Sequence, residues 1–250
     1  SRGHEITKIR TPQLVPAVIN NHKESFFIIS NFVGLAQRSK DLIKALRYII
    51  YEHDHKYLKT RNPADYPDYT APPAEIINKE LYENAAAVFC QSSFHQSIIE
   101  RNLDIDNIQS VGGNLWSVEA LSLLENFAAK DKKAACSIMS STNWHKNTRE
   151  AIMFCQAKQM PYELIEPCGY VEFLNRLSQN QKLVFFPKTP ETLSRIVVES
   201  RMAGMSVLTN NRVGATKESW FKLKGVDLIE VMKQKRKQIP DMVEEVCGGA

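Results

Sequence analysis

No apolar run in these 250 residues approaches the roughly 18 needed to cross a bilayer as a helix. Residues 1–30 lack the basic, apolar and small-residue order of a signal peptide. Together the two absences lead to the expectation of a soluble, cytoplasmic protein. The five cysteines (Cys90, Cys136, Cys155, Cys168, Cys247) are odd in number, widely spaced and without a C-x-x-C, so neither a disulfide framework nor a zinc site is indicated. They read as reduced thiols. No G-x-x-x-x-G-K-[ST] or G-x-G-x-x-G occurs, which argues against P-loop hydrolysis and dinucleotide redox chemistry. A G-x-S-x-G nucleophile elbow is missing too. Internal repeats and low-complexity tracts are absent, and a formal charge of +4 is too small to point to nucleic acid. The one basic run, KQKRK at 233–237, falls in the last expected helix. It reads as a solvated helix face, with peripheral contact to an anionic membrane surface or to a polyanion as the functional alternatives.

What is present is a pattern. At 43% hydrophobic and 24% charged, the chain can bury one large core or two of ordinary size. Short β-branched and aromatic runs predict strands over 26–32, 47–53, 86–92, 107–112, 134–140, 162–166, 182–187 and 205–210. Helical periodicity predicts helices over 39–46, 74–84, 94–103, 118–130, 148–158, 169–178 and 192–203. Regular strand and helix alternation means parallel sheets with helices on both faces. GGNLWS at 112–117 reads as the crossing between two α/β runs, with Trp116 as core or hinge packing. The expectation is two Rossmann-like domains, 1–117 and 118–250, with ligands in the cleft beyond the carboxyl ends of the strands. The first domain lacks the usual opening strand and glycine-rich turn, so the chain is expected to be a fragment or to have a reduced first domain.

TPETLSRIVVESRMAG at 189–204 follows a buried strand. Thr189 is the expected helix N-cap and Pro190 the first helical residue, which puts Glu191 at the helix start. Eight residues at 100° each place Glu199 about 80° round the helix from Glu191 and roughly two turns on, too far apart for one metal-binding face. The pair can bracket an elongated ligand, with the free N–H groups of 192–195 between them as an anion site. The plainer reading is an acidic helix start with Ile196, Val197 and Met202 as its core face.

Strand, proline, E-x7-E, small residue, glycine, strand and TNNRVGA together resemble the donor-binding signature of retaining GT-B glycosyltransferases of the family-4-like group. The resemblance runs from 47 to 220 and is strongest over 182–214. It implies that Glu199 binds the ribose hydroxyls of a nucleotide sugar and that Glu191 reaches the transferred sugar. Thr192, Leu193, Ser194 and Arg195 stand where the family usually has glycines, and are assigned to the diphosphate. In STNWHKNTREAI, at 141–152, Lys146 matches the family's lysine while Asn147 replaces its glycine. A preorganised lysine stabilises the negative charge that grows on a departing diphosphate, without a metal. Ser141 and Gly169, each just past a strand, fall on the donor side, the latter within a candidate base pocket EPCGYVEF at 166–173.

In the first half, IIYEHDHKYLKTRNP at 49–63 leaves a strand. The resemblance implies a histidine here that contacts the transferred sugar, His53 being nearer the strand end and His55 the alternative on the acceptor side. Two histidines at i and i+2 on an extended chain point the same way, so a metal pair is a competing reading, although Asp54 faces oppositely. Ser92 is a further acceptor-side candidate or a helix cap. The resemblance therefore implies a retaining, hexosyltransferase-like enzyme with no cofactor and no required metal. Its partners would be a nucleotide-sugar donor and a glycan, lipid or other small acceptor. Two other classes compete on the same architecture: a nucleotide-sugar epimerase or hydrolase, and a non-catalytic nucleotide-sugar-binding relative.

Overall fold

The computed structural model describes residues 2–248. Their first sheet is β1 (Phe27–Ile29), β2 (Tyr48–Glu52), β3 (Ala87–Cys90) and β4 (Ile108–Ser110), parallel throughout in the order β1-β2-β3-β4. The second is β5 (Lys133–Met139), β6 (Tyr162–Ile165), β7 (Asn180–Phe185) and β8 (Ser206–Thr209), parallel in the order β6-β5-β7-β8. The helices are α1 (Pro16–Asn21), α2 (Gln37–Lys44), α3 (Lys79–Glu83), α4 (Ser93–Glu100), α5 (Val118–Ala128), α6 (Thr148–Ala157), α7 (Tyr170–Leu177), α8 (Arg195–Met202) and α9 (Val226–Gly248). None among the described residues is long and apolar enough to cross a membrane.

Strand residues alternate between two faces, and both faces of each sheet are covered. In β2, Tyr48 and Ile50 pack with Ile43, Leu81 and Ile99, while Ile49 and Tyr51 pack on the other side with Phe89 and Ile239. In the second sheet, Leu183 and Phe185 meet Leu124 of α5, Val197 of α8 and Met232 of α9, and Val184 faces Cys155 of α6.

Helix α9 serves both cores. Leu228, Ile229 and Met232 belong to the second, whereas Ile239, with Met242, Val243 and Val246 against it, lies on the first sheet. A boundary at 117/118 puts all of α9 with the second domain; among the described residues, its C-terminal half instead packs on the first sheet, over Ile49 and Phe89. The basic run on α9 also differs from a free solvated face. Lys235 donates to Val111 O at 2.9 Å, Arg236 donates to Trp116 O, and Lys233 pairs with Glu230 at 2.6 Å. Two of these cations thus brace the crossing segment between the sheets.

Two expected helices form differently. The one over 74–84 is interrupted, since Ile77 N donates to Tyr57 O at 2.8 Å and Asn78 is left-handed at φ 56°, so α3 starts only at Lys79. The one over 192–203 starts three residues late, at Arg195.

Candidate active site in the interdomain cleft

The carboxyl ends of β2, β5 and β7 open onto one cavity of about 280 Å³. His53, Asp54, His55 and Arg61 line it from the first half, and His145, Lys146, Glu191 and Thr192 from the second. This is where ligands of open parallel sheets bind.

Lys146 ends a tight turn, Trp144–Lys146, which Asn143 caps by accepting from His145 N at 3.0 Å. Ser141 shapes the same turn: its hydroxyl accepts from Asn143 N at 3.2 Å. Asn147 then takes a left-handed conformation at φ 55° and donates to Phe186 O at 2.9 Å. Asparagine tolerates that region better than other non-glycine residues, which explains its place where the resemblance has glycine. Glu191 is not at a helix start. Its N–H donates to Arg212 O at 2.8 Å and its carbonyl accepts from Gly214 N at 2.9 Å, a parallel bridge that holds the chain extended and denies Thr189 the capping role. The two side chains meet, with Lys146 Nζ 2.6 Å from Glu191 Oε1.

The chain turns into α8 at Ser194, whose φ is 73°, outside the usual range for a residue with a Cβ. Its hydroxyl is buried with no partner among the described residues. Leu193 is buried in the second core, so only its backbone is available to a ligand. None of the backbone hydrogen bonds among the described residues uses the N–H groups of 192–196, leaving the α8 N-terminus with free donors.

Glu199 is 4% exposed and heavily engaged. Its Oε1 accepts from Trp116 Nε1 at 3.0 Å, Tyr170 OH at 2.9 Å, and Arg195 Nε and Nη2 at 3.3 and 3.0 Å. No hydrogen bond among the described residues ends on Oε2. The Arg195 guanidinium lies 5.3 Å from the Trp116 ring centre and 5.9 Å from that of Tyr170. Burial and the Glu199 carboxylate push the Tyr170 hydroxyl up to about 12, so it stays protonated and donates. Gly169 is the exposed residue before α7 that brings Tyr170 to this point. The sequence points to Trp116 only as packing and to Tyr170 only within the segment 166–173; their bonds to Glu199 are not legible there because they span 83 and 29 residues.

His53 and His55 do not share a face. His53 is exposed in the cleft, and crowding by the walls together with Lys56 lowers its pKa. His55 is 2% exposed; burial first and Lys56 second lower it to about 3, so it is neutral. Its Nδ1 lies 3.1 Å from Tyr57 OH and its ring stands edge-on to His95 at 5.0 Å. Beneath them Glu52 is fully buried, held by Lys56, Tyr82 and, at 2.8 Å, the N–H of Asp54. That last bond fixes the turn carrying His53. Of the two, His53 is the one exposed to the cleft, while His55 is packed into the cavity wall.

Ser92 is likewise committed. It caps α4, accepting from His95 N at 3.1 Å, and donates across the cleft to Thr192 O. Thr192 Oγ1 donates to Gln91 Oε1 at 2.7 Å and contacts His53 O at 3.1 Å. Glu218 accepts from Ser93 N at 2.7 Å, a further clasp between the halves. Among the described residues no three His, Cys, Asp or Glu side chains converge as a metal site would require.

No protein-family model matches the chain, and no curated protein matches it. Solved structures do. Anabaena HepE in complex with UDP and glucose is 12% identical, with 94% of this chain and 74% of that chain covered at a TM-score of 0.53. Sucrose-phosphate synthase from Thermosynechococcus elongatus is 8% identical, with 96% and 79% covered at 0.59. The chain has the GT-B fold. In GT-B terms the cavity described above lies in the cleft between the two sheets, and α9 is the element that returns from the second sheet to the first.

Proposed function

We propose that this chain is a retaining, metal-independent glycosyltransferase that moves a sugar from a nucleotide-sugar donor to a hydroxyl of a glycan, lipid or other small acceptor. The observation that carries this reading is the Lys146–Glu191 pair at 2.6 Å in the cleft, with Glu199 on the adjoining helix keeping one carboxylate oxygen free. The free N–H groups of 192–196 suit the donor's diphosphate, helped by the positive end of α8. Arg195 adds a cation there. Lys146 stabilises the charge that develops on the diphosphate as the bond to the sugar breaks, and Glu191 orients the sugar's hydroxyls. Glu199 Oε2 accepts from the ribose, and His53, poised to stay neutral at pH 7 by its lowered pKa, accepts or donates at the reacting face. Binding of UDP and glucose, or UDP-glucose, by HepE supports a uridine nucleotide as the first donor to try.

Parent protein, Lys146→Ala and Glu199→Ala should be incubated with UDP-glucose and other nucleotide sugars, with and without an acceptor mixture and with a chelator. The expected result is acceptor-dependent nucleotide release by the parent, indifferent to chelator and lost in both variants, with a product of retained anomeric configuration. Release that ignores the acceptor would indicate a hydrolase, and an isomerised donor an epimerase. Donor binding without any turnover would indicate a non-catalytic relative.

A further inference from the structure

The crossing segment between the two sheets reaches into the donor side. Trp116, at its end, is 1% exposed and its indole N–H donates to Glu199 Oε1 at 3.0 Å. The segment is itself braced: Arg236 of α9 donates to Trp116 O, Lys235 to Val111 O, and Trp220 Nε1 to Gly112 O at 2.9 Å. Tyr170 donates to the same Glu199 oxygen from the opposite direction in the chain, at 2.9 Å. All donors converge on Oε1, so the carboxylate's rotation is fixed and Oε2 is the oxygen left to a ligand. An indole N–H cannot accept and, at this burial, has no water to turn to, so its bond to the carboxylate is made in one geometry only.

We propose that Trp116, assisted by Tyr170, is a positioning residue for the nucleotide's ribose. It presents Glu199 Oε2 to the vicinal hydroxyls and makes donor recognition depend on the segment that joins the two halves. This deepens the donor reading above and rests on it. A loosened Glu199 would no longer hold one acceptor oxygen at the place where a ribose hydroxyl must sit. Affinity for the ribose hydroxyls would fall while affinity for base and diphosphate stayed.

Calorimetric titration of UDP, ADP and GDP identifies the nucleotide bound most tightly, which is then compared with its 2′-deoxy analogue. The parent should prefer the ribose form by at least about ten-fold, as expected for a bond from a hydroxyl to a charged acceptor. Glu199→Ala should erase the preference. Trp116→Phe should reduce it several-fold, and so should Tyr170→Phe, which removes one hydroxyl from a 43% exposed ring and leaves the core intact if the Trp116 variant does not fold. A merely structural role lowers affinity for both forms equally. If both variants keep the parent's ratio while Glu199→Ala erases it, the proposal is overturned and the donor reading stands. If the parent binds no nucleotide, or binds both forms equally, the ribose role of Glu199 falls and this proposal with it.

Discussion

Lys146 and Glu191, 45 residues apart, place an ammonium 2.6 Å from a carboxylate oxygen, and both line the cavity that His53 also lines. Lys146 is about one-third exposed and Glu191 less, so the pair sits at the edge of the wall rather than inside it. A ligand that brings a diphosphate can exchange one anionic partner of the lysine for another without stranding a charge, which is the costly alternative.

Replacing Lys146 by Ala should lower transfer by roughly 100- to 1000-fold, the usual cost of removing one donor to a developing negative charge. Turnover should fall more than donor affinity, because the charge grows in the transition state. Arginine keeps the charge but carries it on a bulkier planar fork that cannot take the ammonium's place 2.6 Å from Glu191 Oε1, so it should restore activity only in part. Steady-state kcat and KM for parent, Lys146→Ala and Lys146→Arg check this; a loss confined to KM contradicts it.

Gly214 is where the two halves press together. A Cβ at this position would overlap both Thr192 O and the Ser92 hydroxyl, the two atoms of the clasp across the cleft. Gly214→Ala should therefore cost about 1–3 kcal/mol, the range for overpacking a close-packed site. It should also weaken donor binding, because Thr192 must shift. Chemical denaturation and nucleotide titration of the variant measure both effects.

Ser194 pays a conformational cost that a glycine would not, being at φ 73° with an unpartnered buried hydroxyl. Ser194→Gly should stabilise the protein by about 1 kcal/mol net, the relief of strain and of the orphaned hydroxyl exceeding the extra chain entropy of glycine. Donor affinity should hold or rise. A lower melting temperature in this variant would contradict the assignment of strain.

The strands of the two sheets are legible because β-branched and aromatic runs mark most of them. The eight-residue spacing of Glu191 and Glu199 is plain in the sequence, yet the geometry at its start is not. Thr189-Pro190 is a good local cap, but the backbone of Glu191 is captured by Arg212 and Gly214, partners more than twenty residues away. Similarly, nothing local to Ser92 or His55 announces that one is clasped to Thr192 and the other set edge-on against His95. Trp116 reads as packing in the sequence because a tryptophan before a helix usually is; its bond to Glu199 exists only once the two halves are assembled. Local preference is written in short windows, and the site is built from contacts between them.

Acid should destabilise the first half through its buried histidines. His55 has its pKa lowered from 6.5 to about 3 in the folded chain, and burial lowers His95 as well. Below pH 6.5 the unfolded chain binds a proton that the folded chain refuses, so stability is full above that pH and falls as pH drops toward 3. The slope is about 1.4 kcal/mol per pH unit for each histidine, or about 2 kcal/mol from His55 between pH 6.5 and 5. Urea denaturation at pH 7 and pH 5 should show His55→Gln to be less acid-sensitive than the parent by about that amount, and an unchanged pH dependence would count against it.

On the proposed function, the cleft between the sheets holds a nucleotide sugar through Lys146 and Glu199. This is tested most directly by titrating UDP, GDP, ADP and dTDP, with melting temperature and calorimetric heat as readouts, into the parent, Lys146→Ala and Glu199→Ala proteins. At one hundred times the dissociation constant, a bound nucleotide should stabilise the parent by about 2.7 kcal/mol. One nucleotide should do so, and both variants, still folded, should lose most of the effect. Equal binding by all three proteins, or none by the parent, would contradict it.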